Sequence, residues 1–283
     1  MSRNKDRLMG ETKPQDTNPP PQMTGGGDIF SFVVPTEFVE LPSQGRYYPE
    51  GHPLHNQTVI EIKQMTAKEE DILTNANYIK NGVAIDKLLE SLIVTPGVKL
   101  NDILIGDKNA IMLAARILGY GAEYEVKMIH PETGKEEAGI INLSDVTDKE
   151  LDESLIIDGK NEFQFTLPTS KRNITFKLLT QLDEKKIKKE VEGLEKINKP
   201  SSEGTVTLKH TITSIDGDYD SKNVRKFVDN EMLARDSRAF RKHLDEIQPG
   251  IHTKVNVEFN DGYIQSDVEL PININFFWPD AAI

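Results

Sequence analysis

The sequence predicts an α+β protein of two similar small domains, each running strand, helices, β-hairpin, behind a disordered N-terminal arm. Three observations lead there. Stretches with strand and helix periodicity follow one another along the chain instead of forming separate blocks. Two strand-to-helix junctions look alike: Ile60-Glu61-Ile62-Lys63-Gln64-Met65-Thr66 followed by Glu69-Glu70, and Ile174-Thr175-Phe176-Lys177-Leu178-Leu179-Thr180 followed by Asp183-Glu184, a constant 114 residues apart. Upstream, Leu41-Pro42-Ser43 with Arg46 matches Leu167-Pro168-Thr169 with Arg172. The spacing is too long for a solenoid repeat and implies two domains, 29–150 and 151–283, with a boundary in the polar, turn-rich stretch 144–160.

Residues 1–28 read as the arm. Pro14, Pro19, Pro20, Pro21 and Gly25 to Gly27 interrupt any periodicity, and too few apolar residues are present to offset the entropy of ordering. Phe38 to Pro49 is an extended edge, because Pro42 and Pro49 forbid helix and Gly45 permits a turn. Val59, Ile60 and Ile62 make a strand. Thr66 and Glu69 form a capping box for a helix to about Tyr78, ended by Asn81-Gly82. A second helix, Val83 to Ile93, has Ile85, Leu88, Leu89 and Leu92 on one face and stops before Pro96-Gly97.

The stretch Asp102 to Tyr124 is the centre of the first domain. From Ala110 to Leu118 only Arg116 is polar, so this helix belongs inside a core. Each buried Ile, Leu or Met there contributes roughly 1.5–3 kcal/mol. Asp107 reads as its N-cap and Gly119 or Gly121 as its end. The lone guanidinium of Arg116 needs a partner, and Asp102 and Asp107 are the candidates for a structural ion pair. A hairpin follows, Glu123 to Ile129 and Glu137 to Leu143, turning at Pro131-Glu132-Thr133-Gly134.

In the second domain, strands are expected at Glu162 to Leu167 and Ile174 to Leu178. A helix capped at Thr180 runs to about Asn198, with Asn198 to Gly204 a loop. Helix returns from Ser221 to Ile247 in two pieces, ended by Pro249-Gly250. His252 to Phe259 and Tyr263 to Val268 then flank Asn260-Asp261-Gly262, a strong hairpin turn.

Composition narrows the function. A net charge of −12 argues against binding nucleic acid or anionic membrane through the whole surface, and the absence of cysteine excludes disulfides and thiolate metal sites. No apolar run approaches the ~20 residues a membrane helix needs. No signal-peptide pattern, nucleophile elbow, phosphate loop or dinucleotide fingerprint is present, so no catalytic residue and no cofactor is expected. Asp216-Gly217-Asp218-Tyr219-Asp220 opens like a calcium loop, but Ser221 and Phe227 stand where Gly and Glu are required; a helix-capping turn accounts for it better. His52 and His55 lack a third ligand, and His130, at a hairpin turn, is expected to be exposed.

Partner contacts remain. Lys222 to Lys242 carries a local charge of +4, with Arg235, Arg238 and Arg241 on an outer face suited to an acidic protein. Phe38, Tyr47, Tyr48, Phe276, Phe277 and Trp278 are the aromatic candidates for an exposed partner surface, with the core as the alternative for the terminal run Phe276 to Trp278.

Phe38 to Pro49 (FVELPSQGRYYP), Thr66 to Leu73, Ile85 to Ile93, Asp102 to Tyr124 and Phe276 to Asp280 together resemble the baseplate hub family of T4-like tailed bacteriophages. Relatives carry paired Cys in the hairpin after the Arg-containing helix; Met128 to Lys135 holds that place here without Cys, so a tight turn replaces a zinc knuckle. The resemblance implies a virion component, assembled in the host cytoplasm. It would contact other hub, tail-tube or tape-measure proteins, without catalysis, nucleic-acid binding or a membrane span. The rivals are a tail-assembly chaperone absent from the finished particle and an enzyme built from non-adjacent carboxylates.

Overall fold

Strand β1 (Thr36–Glu40) pairs antiparallel with β2 (Val59–Lys63), which leads into α1 (Ala67–Leu73), α2 (Ala76–Lys80) and α3 (Ala84–Leu92). The long helix α4 (Ile105–Tyr120) and the hairpin β3 (Glu123–Ile129) and β4 (Glu136–Asn142) follow. Then come β5 (Phe163–Thr166), β6 (Asn173–Phe176), α5 (Gln181–Lys196), α6 (Glu203–Thr211), β7 (Ile212–Ile215), α7 (Ser221–Asn230) and α8 (Ala234–Ile247). The hairpin β8 (Lys254–Phe259) and β9 (Ile264–Glu269) and the single turn α9 (Ile274–Phe277) complete the order. A computed structural model describes residues 33–197 and 202–277; the expected arm and Trp278 lie outside them.

The strands form three antiparallel sheets, ordered β1-β2, β5-β6-β7 and β3-β4-β8-β9. The four-stranded sheet takes one hairpin from each side of residue 150, joined by Gly139↔Phe259 and Ile140↔Glu258. Gly139 makes that seam possible: a Cβ there would stand 2.3 Å from Val257 Cγ1. The segments 29–150 and 151–283 therefore share one continuous core, and from Val34 onward the described chain is one compact unit. Ile111, Met112 and Leu113 of α4, Phe176, Phe240 and Phe259 are all buried in it.

Local chemistry accounts for most boundaries. Thr66 and Thr180 start α1 and α5 with capping boxes. Asn75 caps α2 through the amides of Asn77 and Tyr78. Helix α4 departs from expectation at its start: its N-cap is Leu104, and Asp107 sits three residues inside. Gly121, at φ +85°, ends it. Helix α6 and strand β7 were not anticipated by the sequence reading. Gly204 and three threonines make Glu203–Thr211 a poor helix by propensity, and burial of Val206 and Leu208 holds it instead.

Candidate partner-binding surfaces

Asp107 is fully buried, and its carboxylate accepts from the Ser43 amide at 2.9 Å, the Ser43 hydroxyl at 2.6 Å and the Tyr48 hydroxyl at 2.7 Å. The Tyr48 oxygen in turn accepts from the Leu104 amide at 3.0 Å. Burial pushes the Asp107 carboxyl above its ordinary range, against the pull of the Ser43 and Tyr48 hydrogen bonds. The same burial, with Asp107 beside it, drives the Tyr48 hydroxyl well above the usual tyrosine value. This network ties the Leu41-Pro42-Ser43 turn to the start of α4. On α8, Asp236 plays a similar part, accepting from the Thr169 amide at 2.6 Å and the Ser170 amide at 3.0 Å.

The expected pairing of Arg116 with Asp102 or Asp107 is not formed. Asp107 lies at the far end of α4, already bound to Ser43 and Tyr48, and Asp102 is exposed. Arg116 instead donates to three backbone carbonyls: Nε to Phe276 at 2.9 Å, Nη1 to Gly121 at 2.9 Å and Nη2 to Glu123 at 3.3 Å. Its guanidinium also lies over the Tyr120 and Tyr124 rings, 5.2 and 5.5 Å from their centroids. Desolvation lowers its pKa from the ordinary arginine value. Backbone carbonyls have no sequence signature, which is why these partners could not be read in advance.

Four of the aromatic candidates belong to the core. Tyr47 packs on Phe163 and Tyr48 stacks on His52, both almost fully buried. Phe276 and Phe277 are fully buried, with Phe276 edge-on to Tyr124. They fill space beside α4 and are unavailable to a partner. Phe38, by contrast, is 70% exposed on β1, a strand that among the described residues pairs only with β2. Arg235, Arg238 and Arg241 are exposed along α8 and form no ion pair among the described residues, whereas Arg225 on α7 is bound to Glu190 at 2.7 and 2.9 Å.

Three histidines, His52, His55 and His130, are engaged by nearby backbone. His130 is buried, contrary to expectation: Phe259 and Tyr263 enclose its ring, while Nδ1 accepts from the Glu132 and Thr133 amides at 3.1 and 3.2 Å. The hairpin turn is thus built around the imidazole. His52 Nδ1 accepts from the Leu54 amide, and His55 Nδ1 donates to the Tyr48 carbonyl. In the acidic loop, Asp216 holds Arg172 and the Asn173 amide, Asp218 holds the Asp220 amide and Asn223, and Asp220 caps α7. Among the described residues no three acids or histidines converge as metal ligands.

A cleft of about 870 Å³ runs between α3, α4, α5 and the segment after β9. Two of its acids are paired: Glu184 with Lys108, and Asp86 with Lys185 at 3.0 Å. Here, as in the buried networks, charged groups hold one chain segment against another. The chain belongs to the T4 bacteriophage base plate protein family, whose model matches residues 34–278. Membership implies a structural role in the phage tail baseplate, hence a place in the virion among other phage proteins. No curated protein and no solved structure matches the chain. No helix of the described residues is long and apolar enough to cross a membrane.

Proposed function

We propose that the protein is a non-enzymatic component of the baseplate hub that binds other hub, tail-tube or tape-measure proteins. The family match over residues 34–278 carries this reading. The α8 face supports it: in a chain of net charge −12, Arg235, Arg238 and Arg241 are exposed and form no ion pair among the described residues, suited to an acidic protein surface. Phe38, on strand β1, is a second contact. Quantitative mass spectrometry of purified particles and isolated baseplates tests the proposal. A small fixed copy number in the baseplate supports it. Presence in assembly intermediates but absence from particles would make the protein a chaperone, and absence from both would reopen the enzyme reading.

We also infer that residues 34–150 and 151–277 are two copies of one unit. In both, an antiparallel strand pair leads into a Thr-capped helix. In both, a lysine ending the second strand or just beyond it binds the acid of the capping box at 2.7 Å, Lys63 to Glu69 and Lys177 to Asp183. A later helix ends directly in an isoleucine that pairs back on that strand: Ile93 on Ile62, Ile212 on Phe176. A helix entered through an extended leucine, Leu104 or Leu233, then holds the Leu-Pro turn through its third residue, Asp107 or Asp236. A hairpin closes each copy.

A further inference from the structure

The two copies meet through a short backbone bridge. The Ile105 amide donates to the Leu179 carbonyl at 3.0 Å, and the Gln181 amide donates to the Ile103 carbonyl at 2.9 Å, so Leu104 faces Thr180. The start of α4 is thereby docked on the strand-to-helix junction ahead of α5. Each of these two edges has a counterpart in the other copy, and both counterparts are unoccupied among the described residues. At the start of α8, the backbone of Leu233 (φ −68°, ψ 145°) repeats that of Leu104 (φ −62°, ψ 145°). Ahead of α1, Thr66 (φ −116°, ψ 175°) repeats Thr180 (φ −98°, ψ 170°). The Ala234 amide and Met232 carbonyl on one side, and the Met65 carbonyl and Ala67 amide on the other, take no partner among the described residues. Leu104 is 3% exposed in the internal contact, whereas Leu233 is 47% exposed.

We propose that the start of α8 of one molecule docks on the Met65–Ala67 junction of a second molecule, repeating between copies the bridge that joins the halves within one. This rests on the inferred likeness of the halves, not on the hub assignment. Charge favours the same pairing. Arg235 and Arg238 on α8 form no ion pair among the described residues, and α1 opposite would present Glu70, which accepts from Tyr120, and Asp71, beside Lys68, whose charge is like that of the arginines. The side chains of the two contacts differ: α8 carries Arg235 where α4 has Gly106, which packs against the Pro249 carbonyl, and Ser237 where α4 has Lys108, while Ala67 stands in place of Gln181. Because the surfaces joined are different, the contact is heterologous. It closes into a ring if the rotation per copy allows and otherwise extends as a filament.

Proline at the first helical residue removes each amide without harming the helix, since that position favours proline. The residues before it, Thr66 and Leu233, are already extended as proline requires. The test is sedimentation velocity of the full chain, wild type, Ala67→Pro and Ala234→Pro, over a concentration series to about 100 μM. The wild type is expected to self-associate, less so in high salt. Each variant weakens association by about tenfold or more, with an unchanged urea midpoint. Mixing the two variants, each with one intact face, yields a species that stops at the dimer. Arg235→Glu with Arg238→Glu weakens association without touching the backbone. A wild type that stays monomeric, or association that both proline variants leave unchanged, overturns the proposal. Either result leaves the hub reading to the particle measurement.

Discussion

Removing the Asp107 carboxylate should be among the most damaging single changes in this protein. Asp107→Ala orphans the Ser43 amide, the Ser43 hydroxyl and the Tyr48 hydroxyl, all buried. A buried donor left unsatisfied costs roughly 1–3 kcal/mol, and the amide cannot turn elsewhere. The hydroxyls recover part of the loss by rotating. The wild type also bears the desolvation cost that raises the Asp107 pKa, and alanine relieves it. The net expectation is a loss of roughly 3 kcal/mol, a fall of roughly 1 M in urea midpoint with little change in slope. Asp107→Asn keeps one acceptor and should lose about half as much. Asp236→Ala orphans two amides, Thr169 and Ser170, and should fall between them. Equilibrium urea unfolding followed by circular dichroism measures all three. An Asp107→Ala midpoint equal to wild type, or Asn as damaging as Ala, would refute the account of the network.

Acid should weaken the fold through two glutamates. Burial pushes Glu69 up, but hydrogen bonds from Lys63, Thr66 and Ser91 outweigh it and hold the carboxyl at about 2; the Arg225 hydrogen bond does the same for Glu190, also to about 2. Both values lie below the unfolded 4.5, so their stabilisation is complete above pH 4.5 and lost as pH falls toward 2. Glu69→Gln and Glu190→Gln should each flatten the urea midpoint against pH in that window; a wild-type profile already flat there contradicts the assignment. Arg116→Met strands three carbonyls at a cost of roughly 2–4 kcal/mol and should make the segment after β9 the first site of limited proteolysis. Gly106→Ala puts a Cβ 1.9 Å from the Pro249 carbonyl oxygen, a backbone atom, and should lower stability by roughly 1–3 kcal/mol in a thermal melt.

Legibility in the sequence followed the range of the interaction. Thr66 with Glu69 and Thr180 with Asp183 are three residues apart, and their capping boxes were visible as spacing. The hairpins were equally plain from their turns. Partners far apart were not. Asp107 looked like a cap because nothing in the sequence tells that Ser43 and Tyr48 would reach it across more than fifty residues. Tyr47, Tyr48, Phe276 and Phe277 were read as contacts because aromatics serve cores and interfaces alike; packing alone separates the two uses. Helical spacing fixes sides, and Arg235, Arg238 and Arg241 lie exposed along α8, but spacing cannot say what meets them.

The clasp of Arg116 on the Phe276 carbonyl spans 160 residues of chain. During synthesis, α4 and its hairpin emerge long before that carbonyl exists, and the seats of Phe276 and Phe277 beside them stay vacant. Until Phe277 is made, the nascent chain offers beside α4 an apolar slot that Phe276 and Phe277 later fill. A chain that stops short of Phe276 would therefore carry a sticky surface that one extending past it covers.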